Sequence, residues 1–261
     1  MRVRTPWIKN ALIRGIGKVA DINFDEAVNP DPDHYASFNE FFTRELKPGV
    51  RPLDPDPLAL ISPCDGRISE SGLISEGRIY QAKRHDYSLQ ALLADDPACQ
   101  ALRGGNFWTI YLSPRDYHRV HMPLAGTLRR MIYVPGQLYS VAPYTVRHVP
   151  GLFAVNERVV CIFETEFGPL AQVLVGAMLV ASMDTVWAGT ITPARVRALH
   201  RQHYTPGEVV LERGAEMGRF NMGSTVVMAL PPGAVAGDLA PLPGAGDPVR
   251  LGQRLALMAG K

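Results

Sequence analysis

The sequence predicts an α+β fold, with a β-rich core of the sandwich or barrel type and amphipathic helices at the N-terminus. Three observations support this prediction. Residues 1–47 carry apolar side chains at helical spacing. A proline-rich passage, residues 48–57, follows them. From about residue 58 onward, short apolar runs typical of β-strands alternate with glycine and proline. We therefore divide the chain into a helical region, 1–47, and a β-rich domain, 48–261.

The first helical segment is amphipathic. Its apolar residues recur at the spacing of one helix face: Ile8, Leu12, Ile16 and Val19. Arg14 and Lys18 lie on the opposite side, with Trp7 near one end. Lys9 lies at the edge of the apolar stripe, where its aliphatic stem can cover apolar surface while the ammonium stays in water. Such a helix is suited to a membrane surface, and packing on the protein's own core is the alternative.

The second helical segment follows Ser37, which predicts an N-cap. Its aromatic and aliphatic residues are Phe38, Phe41, Phe42 and Leu46. The passage from Pro48 to Pro57 then predicts an extended connector, because proline lacks an amide hydrogen and restricts the residue before it.

The β-rich domain contains runs that we predict to be strands: Phe107–Leu112, Val159–Thr165, Val173–Val180 and Thr225–Leu230. Only two stretches in this domain have helical character, Ser88–Ala94 and Pro193–Leu199. Strands in this number, separated by turn residues, indicate a β-rich core.

Charge and cysteine content exclude several classes of protein. The formal net charge is only +2 over 261 residues, so nucleic acid is not expected as a partner. Residues 1–20 nevertheless contain five basic residues and no acidic one. Three cysteines without a CxxC pair argue against a disulfide framework. We expect no secretory signal and no membrane span, since no run approaches about 18 apolar residues.

Asp65 belongs to the first of three motifs suited to catalysis, Ser62-Pro63-Cys64-Asp65-Gly66-Arg67. Asp-Gly after proline predicts a tight turn in which Gly66 takes a positive φ. A turn of this kind also presents a carboxylate at a rigid corner, where it is able to orient another side chain.

The second motif, Tyr111–Pro123, contains two histidines three residues apart, His118 and His121. In a helix this spacing puts both on one face, whereas in an extended strand it puts them on opposite faces. The spacing therefore leaves the geometry open. The pair is compatible with acid–base catalysis, with two metal ligands or with a structural role.

The third motif runs from Gly214 to Thr225 and leads into an apolar strand. It is compatible with a plain hairpin, and its end also suits self-cleavage. Ser224 can attack the carbonyl of Gly223, because glycine leaves that carbonyl unhindered and its backbone free to distort. A histidine oriented by a carboxylate would take the hydroxyl proton. Elimination from the resulting ester, followed by hydrolysis, would leave a pyruvoyl group at residue 224.

Together the three motifs resemble the phosphatidylserine decarboxylase family, in particular its proteobacterial members. The resemblance covers nearly the whole chain in the same order: Phe38–Arg44, Ser62–Arg67, Tyr111–Pro123, Asn156–Arg158, Val186–Gly189 and the stretch ending in Gly223-Ser224-Thr225. Met222 is a departure, since the family usually has leucine before Gly-Ser-Thr. Leucine and methionine are close in volume, and no reacting atom is lost.

The resemblance implies a processed enzyme. Self-cleavage between Gly223 and Ser224 would give a long chain, 1–223, and a short chain, 224–261, which remain partners. Ser224 would become a covalent pyruvoyl cofactor, and no metal is implied.

The resemblance also implies roles for the other polar residues. His121 corresponds to the base of self-cleavage, and Asp65 to the acid that orients it, which suggests a hydrogen bond between the two. His118 corresponds to the histidine of decarboxylation itself, most simply a proton donor.

The implied reaction converts phosphatidylserine to phosphatidylethanolamine and CO₂. A ketone that condenses with the substrate amine accepts the electrons that remain when CO₂ departs. Since the substrate lies in a bilayer, we expect the enzyme to be peripheral on the cytoplasmic side of the cell membrane, anchored to its anionic surface by the basic helix. The oligomeric state, a homodimer included, stays open.

Two other functions are compatible with the residues alone. One is a metal-dependent hydrolase that uses His118, His121 and Asp65. The other is a lipid-binding module without catalysis.

Overall fold

The computed structural model describes residues 5–82, 85–178, 182–192, 198–221, 225–237 and 243–260. Its helices are α1 (Pro6–Val19), α2 (Phe38–Phe42), α3 (Leu89–Leu93), α4 (Ala98–Leu102), α5 (Pro143–Val146) and α6 (Leu152–Val155), with a 3₁₀ turn at Pro32–His34. Its strands are β1 (Ala59–Ile61), β2 (Gly66–Leu73), β3 (Arg78–Ala82), β4 (His85–Ser88), β5 (Asn106–Tyr111), β6 (Arg119–His121), β7 (Gly126–Val134), β8 (Arg158–Thr165), β9 (Gly168–Val175), β10 (Met183–Thr185), β11 (Gly189–Thr190), β12 (His200–His203), β13 (Val210–Leu211), β14 (Glu216–Phe220), β15 (Thr225–Leu230), β16 (Pro248–Val249) and β17 (Arg254–Leu257).

Two sheets organise the part of the chain that the structure describes. The large sheet has the strand order β12-β7-β8-β9-β15-β5-β2-β16, with β13 also paired to β7. The small sheet has the order β11-β10-β14-β6, and two further strand pairs join β1 to β17 and β3 to β4. The central pairings are antiparallel. The predicted α+β fold with a β-rich core is confirmed.

Strand β15 lies in the middle of the large sheet, antiparallel to β9 on one side and to β5 on the other. All six of its residues are buried. A strand covered on both faces needs apolar residues at every position, which explains its continuous apolar run. Strand β14, just before it in sequence, belongs to the small sheet. The third motif therefore lies where the chain passes from one sheet to the other.

Helix α1 buries a different face from the predicted one. Its buried residues are Lys9, Ile13 and Gly17. The predicted stripe lies beside them: Ile8, Leu12 and Ile16 are half-buried, whereas Val19 is 90% exposed. The side of α1 that contains Ile13, Leu12 and Ile16 packs on a small cluster of aromatic residues that includes Phe38, Phe41 and Phe42.

The prediction for Lys9 is wrong. Its side chain is buried instead of reaching water, and its ammonium donates hydrogen bonds to the backbone carbonyls of Pro32 and Tyr35. A buried ammonium is tolerated when such acceptors replace its hydration. Lys9 therefore fixes α1 to the following loop and contributes no free charge at the surface.

Helix α2 begins as predicted. The Ser37 hydroxyl accepts a hydrogen bond from the amide of Glu40, and the Glu40 carboxylate accepts one from the amide of Ala36. This reciprocal arrangement resembles a capping box and holds the start of a helix of only five residues. Residues 48–58 follow without helix or strand, as expected of the connector.

The remaining element predictions are largely confirmed. The predicted helix Ser88–Ala94 is α3, capped by the Ser88 hydroxyl. The predicted strand Val173–Val180 is observed earlier, as β9. The predicted helix Pro193–Leu199 falls mainly on residues outside those described. Within the described ranges, no helix combines the length and apolarity needed to cross a membrane.

Candidate active site

His118 is fully buried against helix α2. Its ring stacks on Phe42 with centroids 3.9 Å apart, and its backbone carbonyl accepts a hydrogen bond from the amide of Phe220. Neither ring nitrogen makes a hydrogen bond of standard geometry to a described residue. Burial lowers the pKa of His118 to about 3, and the positive charge of Arg44 acts in the same direction.

His118 is consequently neutral at neutral pH. A neutral imidazole is a weak acid, so the proton-donor role implied for His118 requires a nearby anion that raises its pKa. An anionic substrate would supply that charge.

His121 lies on β6 and is held at both ring nitrogens. Nδ1 is 2.8 Å from the carbonyl oxygen of Gly214, and Nε2 is 3.2 Å from the hydroxyl of Tyr117. Because a carbonyl only accepts, Nδ1 must carry the proton, and Nε2 then accepts from the phenol. Gly214 has φ of +82°, a conformation that favours glycine.

The charge state of His121 suits a general base. Burial lowers its pKa, while the carbonyl of Gly214 and the carboxylates of Glu216 and Asp65 act in the opposite direction. The ring is therefore neutral at neutral pH, with a lone pair at Nε2.

Asp65 does not make the expected hydrogen bond to His121. Arg51 donates to both of its carboxylate oxygens, from Nε at 2.9 and 3.0 Å and from Nη2 at 2.6 Å. The amide of Leu251 donates to Oδ1 at 2.9 Å. Arg51 also donates to Glu26, so one guanidinium bridges two carboxylates. The backbone carbonyl of Gly214 fixes the tautomer of His121. Asp65 affects His121 only through its charge.

Gly66 also differs from the prediction. It does not take a positive φ, because it is the first residue of β2. A Cβ at this position would lie 2.4 Å from the carbonyl oxygen of Tyr111. Glycine is therefore needed for close approach of two strands and not for a left-handed turn.

The predicted cleavage site, Gly223-Ser224, lies outside the described residues, as does Met222. The residues on either side of it are described. Asn221 makes hydrogen bonds to Asn39 and Ser182, and Thr225 pairs with Tyr111 and Val175 at the start of β15.

Helix α2 forms one wall of this region. Besides the stacking of Phe42 on His118, the Asn39 amide donates to the side chain of Asn221 at 2.9 Å. The carbonyl of Thr43 accepts from Nε of Arg119, next to His118 in sequence. The second half of the helical region therefore contributes directly to the site.

A covalent group at residue 224 fits these surroundings. Thr225 Oγ1 is fully buried and has no hydrogen-bond partner among the described residues, and the ring nitrogens of His118 have only the backbone of Ser113 and Pro114 nearby, without a hydrogen bond of standard geometry. Buried polar atoms normally have partners, so these atoms are suited to a small polar group in the adjoining segment. Within the described ranges, no three His, Cys, Asp or Glu residues form a cluster able to bind a metal ion.

Several residues of the site were missed at the sequence level. Tyr117, Phe42 and Arg44 all belong to the motifs that carried the resemblance, but their side chains had no assigned role. Arg51 lies in the proline-rich connector, where no pattern distinguishes it.

The motif Asn156–Arg158 is structural. Asn156 donates to the carbonyls of Tyr139 and Gly176, and Arg158 donates to those of Leu92 and Ala154. These buried hydrogen bonds hold the start of β8 in place.

Comparison with known proteins agrees with the geometry. The sequence profile described as phosphatidylserine decarboxylase matches residues 38–257. The relatives include proteins with the name phosphatidylserine decarboxylase proenzyme. The Pseudomonas fluorescens protein is 54% identical over 97% of this chain and 88% of its own length. The Bordetella avium protein is 54% identical over 98% of this chain and 87% of its own length. The Azotobacter vinelandii protein is 56% identical over 86% of this chain and 80% of its own length. The chain belongs to the phosphatidylserine decarboxylase family.

Proposed function

We propose that this chain is made as a proenzyme, cleaves itself between Gly223 and Ser224, and then decarboxylates phosphatidylserine to phosphatidylethanolamine and CO₂. Family membership makes it a carboxy-lyase. The observation that carries the proposal is the state of His121. Its imidazole is neutral, its Nδ1–H is hydrogen-bonded to the carbonyl of Gly214, and its Nε2 is able to accept a proton. It lies on β6, the strand paired with β14, which leads toward Ser224.

In self-cleavage, His121 takes the hydroxyl proton of Ser224. The Gly214 carbonyl keeps its hydrogen bond to Nδ1 as the ring becomes charged, and the negative charge of Asp65 favours that charged form. This division resembles a catalytic triad in which the carboxylate acts at a distance.

In turnover, the pyruvoyl ketone derived from Ser224 supplies the electron sink for the departing CO₂. His118 is fully buried and stacked on Phe42 of α2, where its proton affinity responds strongly to nearby charge. We assign it the proton that the product requires at its α-carbon.

The two chains, 1–223 and 224–261, stay together after cleavage. β15 lies between two strands of the long chain, and β17 pairs with β1. Arg254 donates to both oxygens of Asp54.

The protein acts at the cytoplasmic face of the cell membrane, bound peripherally. Residues 1–47 make the contact with the membrane, and residues 48–261 form the main catalytic domain. Trp7 supports this assignment, since it is 74% exposed on α1, and aromatic residues favour the membrane interface. Lys18 is also exposed on this helix, which favours an anionic surface, whereas the exposed Arg14 is paired with Asp33 at 2.9 Å. A homodimer is compatible with this arrangement.

Vesicle sedimentation tests the anchor. Trp7→Ala should weaken binding to anionic vesicles several-fold, whereas Tyr144→Ala, a matched change at another aromatic residue that is 75% exposed, should not. Equal loss in both variants would place the membrane contact elsewhere.

Release of labelled CO₂ from phosphatidylserine in detergent micelles tests the activity. The wild-type chain should release it without added metal, and Ser224→Ala should remain uncut and inactive. Activity that disappears with a chelator while the chain stays intact would instead indicate a metal-dependent hydrolase. Vesicle binding with neither cleavage nor turnover would indicate a lipid-binding module.

A further inference from the structure

A polar cavity of about 310 Å³ lies beside the segment that leads to the two histidines, with Arg115, Asp116 and Tyr117 in its lining. Its lining includes Tyr117, which is bonded to His121, and Arg44, whose charge acts on His118. A volume of this size lies at the lower end of the range for small-molecule sites, about 300–1,000 Å³. It suits a polar headgroup better than acyl chains.

Four arginines line the cavity, and three of them have a carboxylate within ion-pair distance. Arg51 is bonded to Asp65 and Glu26, Arg250 lies 3.9 Å from Glu26, and Arg115 lies 3.9 Å from Asp116. Their charges are therefore largely compensated within the protein.

Arg44 is the exception among the four: no described carboxylate lies within ion-pair distance of it, and Asp65 and Glu26 act on it only through their charges. It is only 3% exposed, and its Nε and Nη1 atoms are fully buried without a hydrogen-bond partner among the described residues. Its guanidinium lies over the ring of Phe41 at 5.3 Å, which offsets part of the lost hydration. A buried guanidinium with unused donors in a cavity wall is suited to an oxyanion, because the planar fork of donors matches a carboxylate or phosphate.

We propose that Arg44 binds the phosphodiester of the phospholipid substrate, and that the cavity is the headgroup subsite. The inference rests on the proposed function, since that function supplies the lipid. The headgroup also has a carboxylate, but decarboxylation removes its charge. A cation bound to that group would stabilise the substrate more than the transition state. The phosphodiester keeps its charge throughout the reaction and is the better partner.

Kinetics of the processed enzyme test this assignment. Arg44→Met should raise KM for phosphatidylserine in micelles about 10- to 100-fold and change kcat less than threefold, because binding to an unchanging charge is uniform. Arg78→Met is the matched control at an exposed ion pair with Asp86 and should change neither constant. A fall in kcat with unchanged KM would overturn the proposal.

Soluble probes separate the two anions of the headgroup. By calorimetry, glycerophosphoethanolamine, which has only the phosphodiester, should bind the wild-type processed enzyme and lose at least tenfold in affinity in Arg44→Met. Serine, which has only the carboxylate, should bind equally weakly to both. Loss of serine affinity instead would assign Arg44 to the carboxylate. Inorganic phosphate that binds more tightly than glycerophosphoethanolamine would identify a free-phosphate site.

The extent of self-cleavage on a denaturing gel shows whether each variant folds. If Arg44→Met stays uncut, Arg44→Lys keeps the charge but not the fork of donors, and should raise KM several-fold. An unchanged KM in Arg44→Lys would contradict the proposal. Binding of glycerophosphoethanolamine is measured independently of catalysis, so failure of the subsite is distinguishable from failure of the proposed reaction.

Discussion

His118 and His121 lie three residues apart in one extended segment and experience different surroundings. His118 is fully buried and stacked on Phe42, and burial together with the charge of Arg44 lowers its pKa to about 3. His121 is held between the carbonyl of Gly214 and the phenol of Tyr117. The negative charges of Glu216 and Asp65 act to raise its pKa. An extended backbone directs such residues to different faces. One short motif is thereby able to serve two separate steps, formation of the cofactor and its use.

Replacement of His121 should have the largest effect. His121→Ala removes the only base assigned to Ser224, so processing of newly made chain should slow at least 100-fold, in line with the 10²–10⁴ typical of acid–base groups. The measurement is a gel time course of chain made in a cell-free system. Tyr117→Phe is the control, since it frees Nε2 without removing it and should process within about tenfold of wild type. Normal processing of His121→Ala would remove this residue from self-cleavage.

Replacement of His118 should separate the two steps. His118→Ala retains the groups assigned to self-cleavage and should still process, while CO₂ release by the processed enzyme falls about 10²- to 10⁴-fold. His148→Ala, at an exposed histidine packed against Tyr144, should leave both unchanged. Were His118→Ala to stay uncut while His121→Ala matured, the two roles would have to be exchanged.

Asp65 should have a smaller effect, because it does not touch His121. Asp65→Asn removes the charge that favours the protonated ring but leaves the hydrogen bond from Nδ1 to Gly214, so processing should slow about tenfold. It also weakens a buried ion pair, which should lower the free energy of unfolding by about 1–3 kcal/mol. Urea unfolding measures this cost, with Asp65→Asn and the surface change Asp86→Asn each placed in a Ser224→Ala background.

Asp86→Asn provides the comparison for Asp65→Asn, since Asp86 pairs with Arg78 at the surface. It should cost less than about 0.5 kcal/mol. Equal costs at the two positions would mean that the buried bridge from Arg51 contributes little.

The pH dependence of processing should be the smallest effect near neutrality. Burial lowers the pKa of His121 below its ordinary value of 6.5, and only the neutral ring acts as a base. The midpoint at which processing declines toward low pH should therefore lie below 6.5, with little change between pH 7.5 and 8.5. A midpoint at or above pH 7 would indicate a different base.

Local features of this fold could be predicted from the sequence, and long-range pairings could not. The cap at Ser37 and the buried strand Thr225–Leu230 depend on neighbours in sequence, so their patterns predict them. Lys9 is satisfied by carbonyls more than 20 residues away, and Asp65 is bonded to the amide of Leu251, 186 residues away. Residue spacing carries no information about such partners.

The same limit applied to the site. The motifs identified His118, His121 and Asp65, whose roles stay predictions, but the carbonyl of Gly214 had no signal because any residue has one. Phe42 was predicted as part of a helix, and its contact with His118 depends on how that helix packs. Tertiary packing decides which groups of a motif meet.

The intact mass of the purified protein under denaturing conditions tests the central claim most directly. Self-cleavage predicts two species, residues 1–223 and a fragment of 38 residues, 224–261, whose first residue has the mass of a pyruvoyl group and resists Edman sequencing. Ser224→Ala should give one species of the full 261 residues. A wild-type chain that decarboxylates phosphatidylserine while intact, or a Ser224→Ala chain that still divides at this bond, would contradict the account.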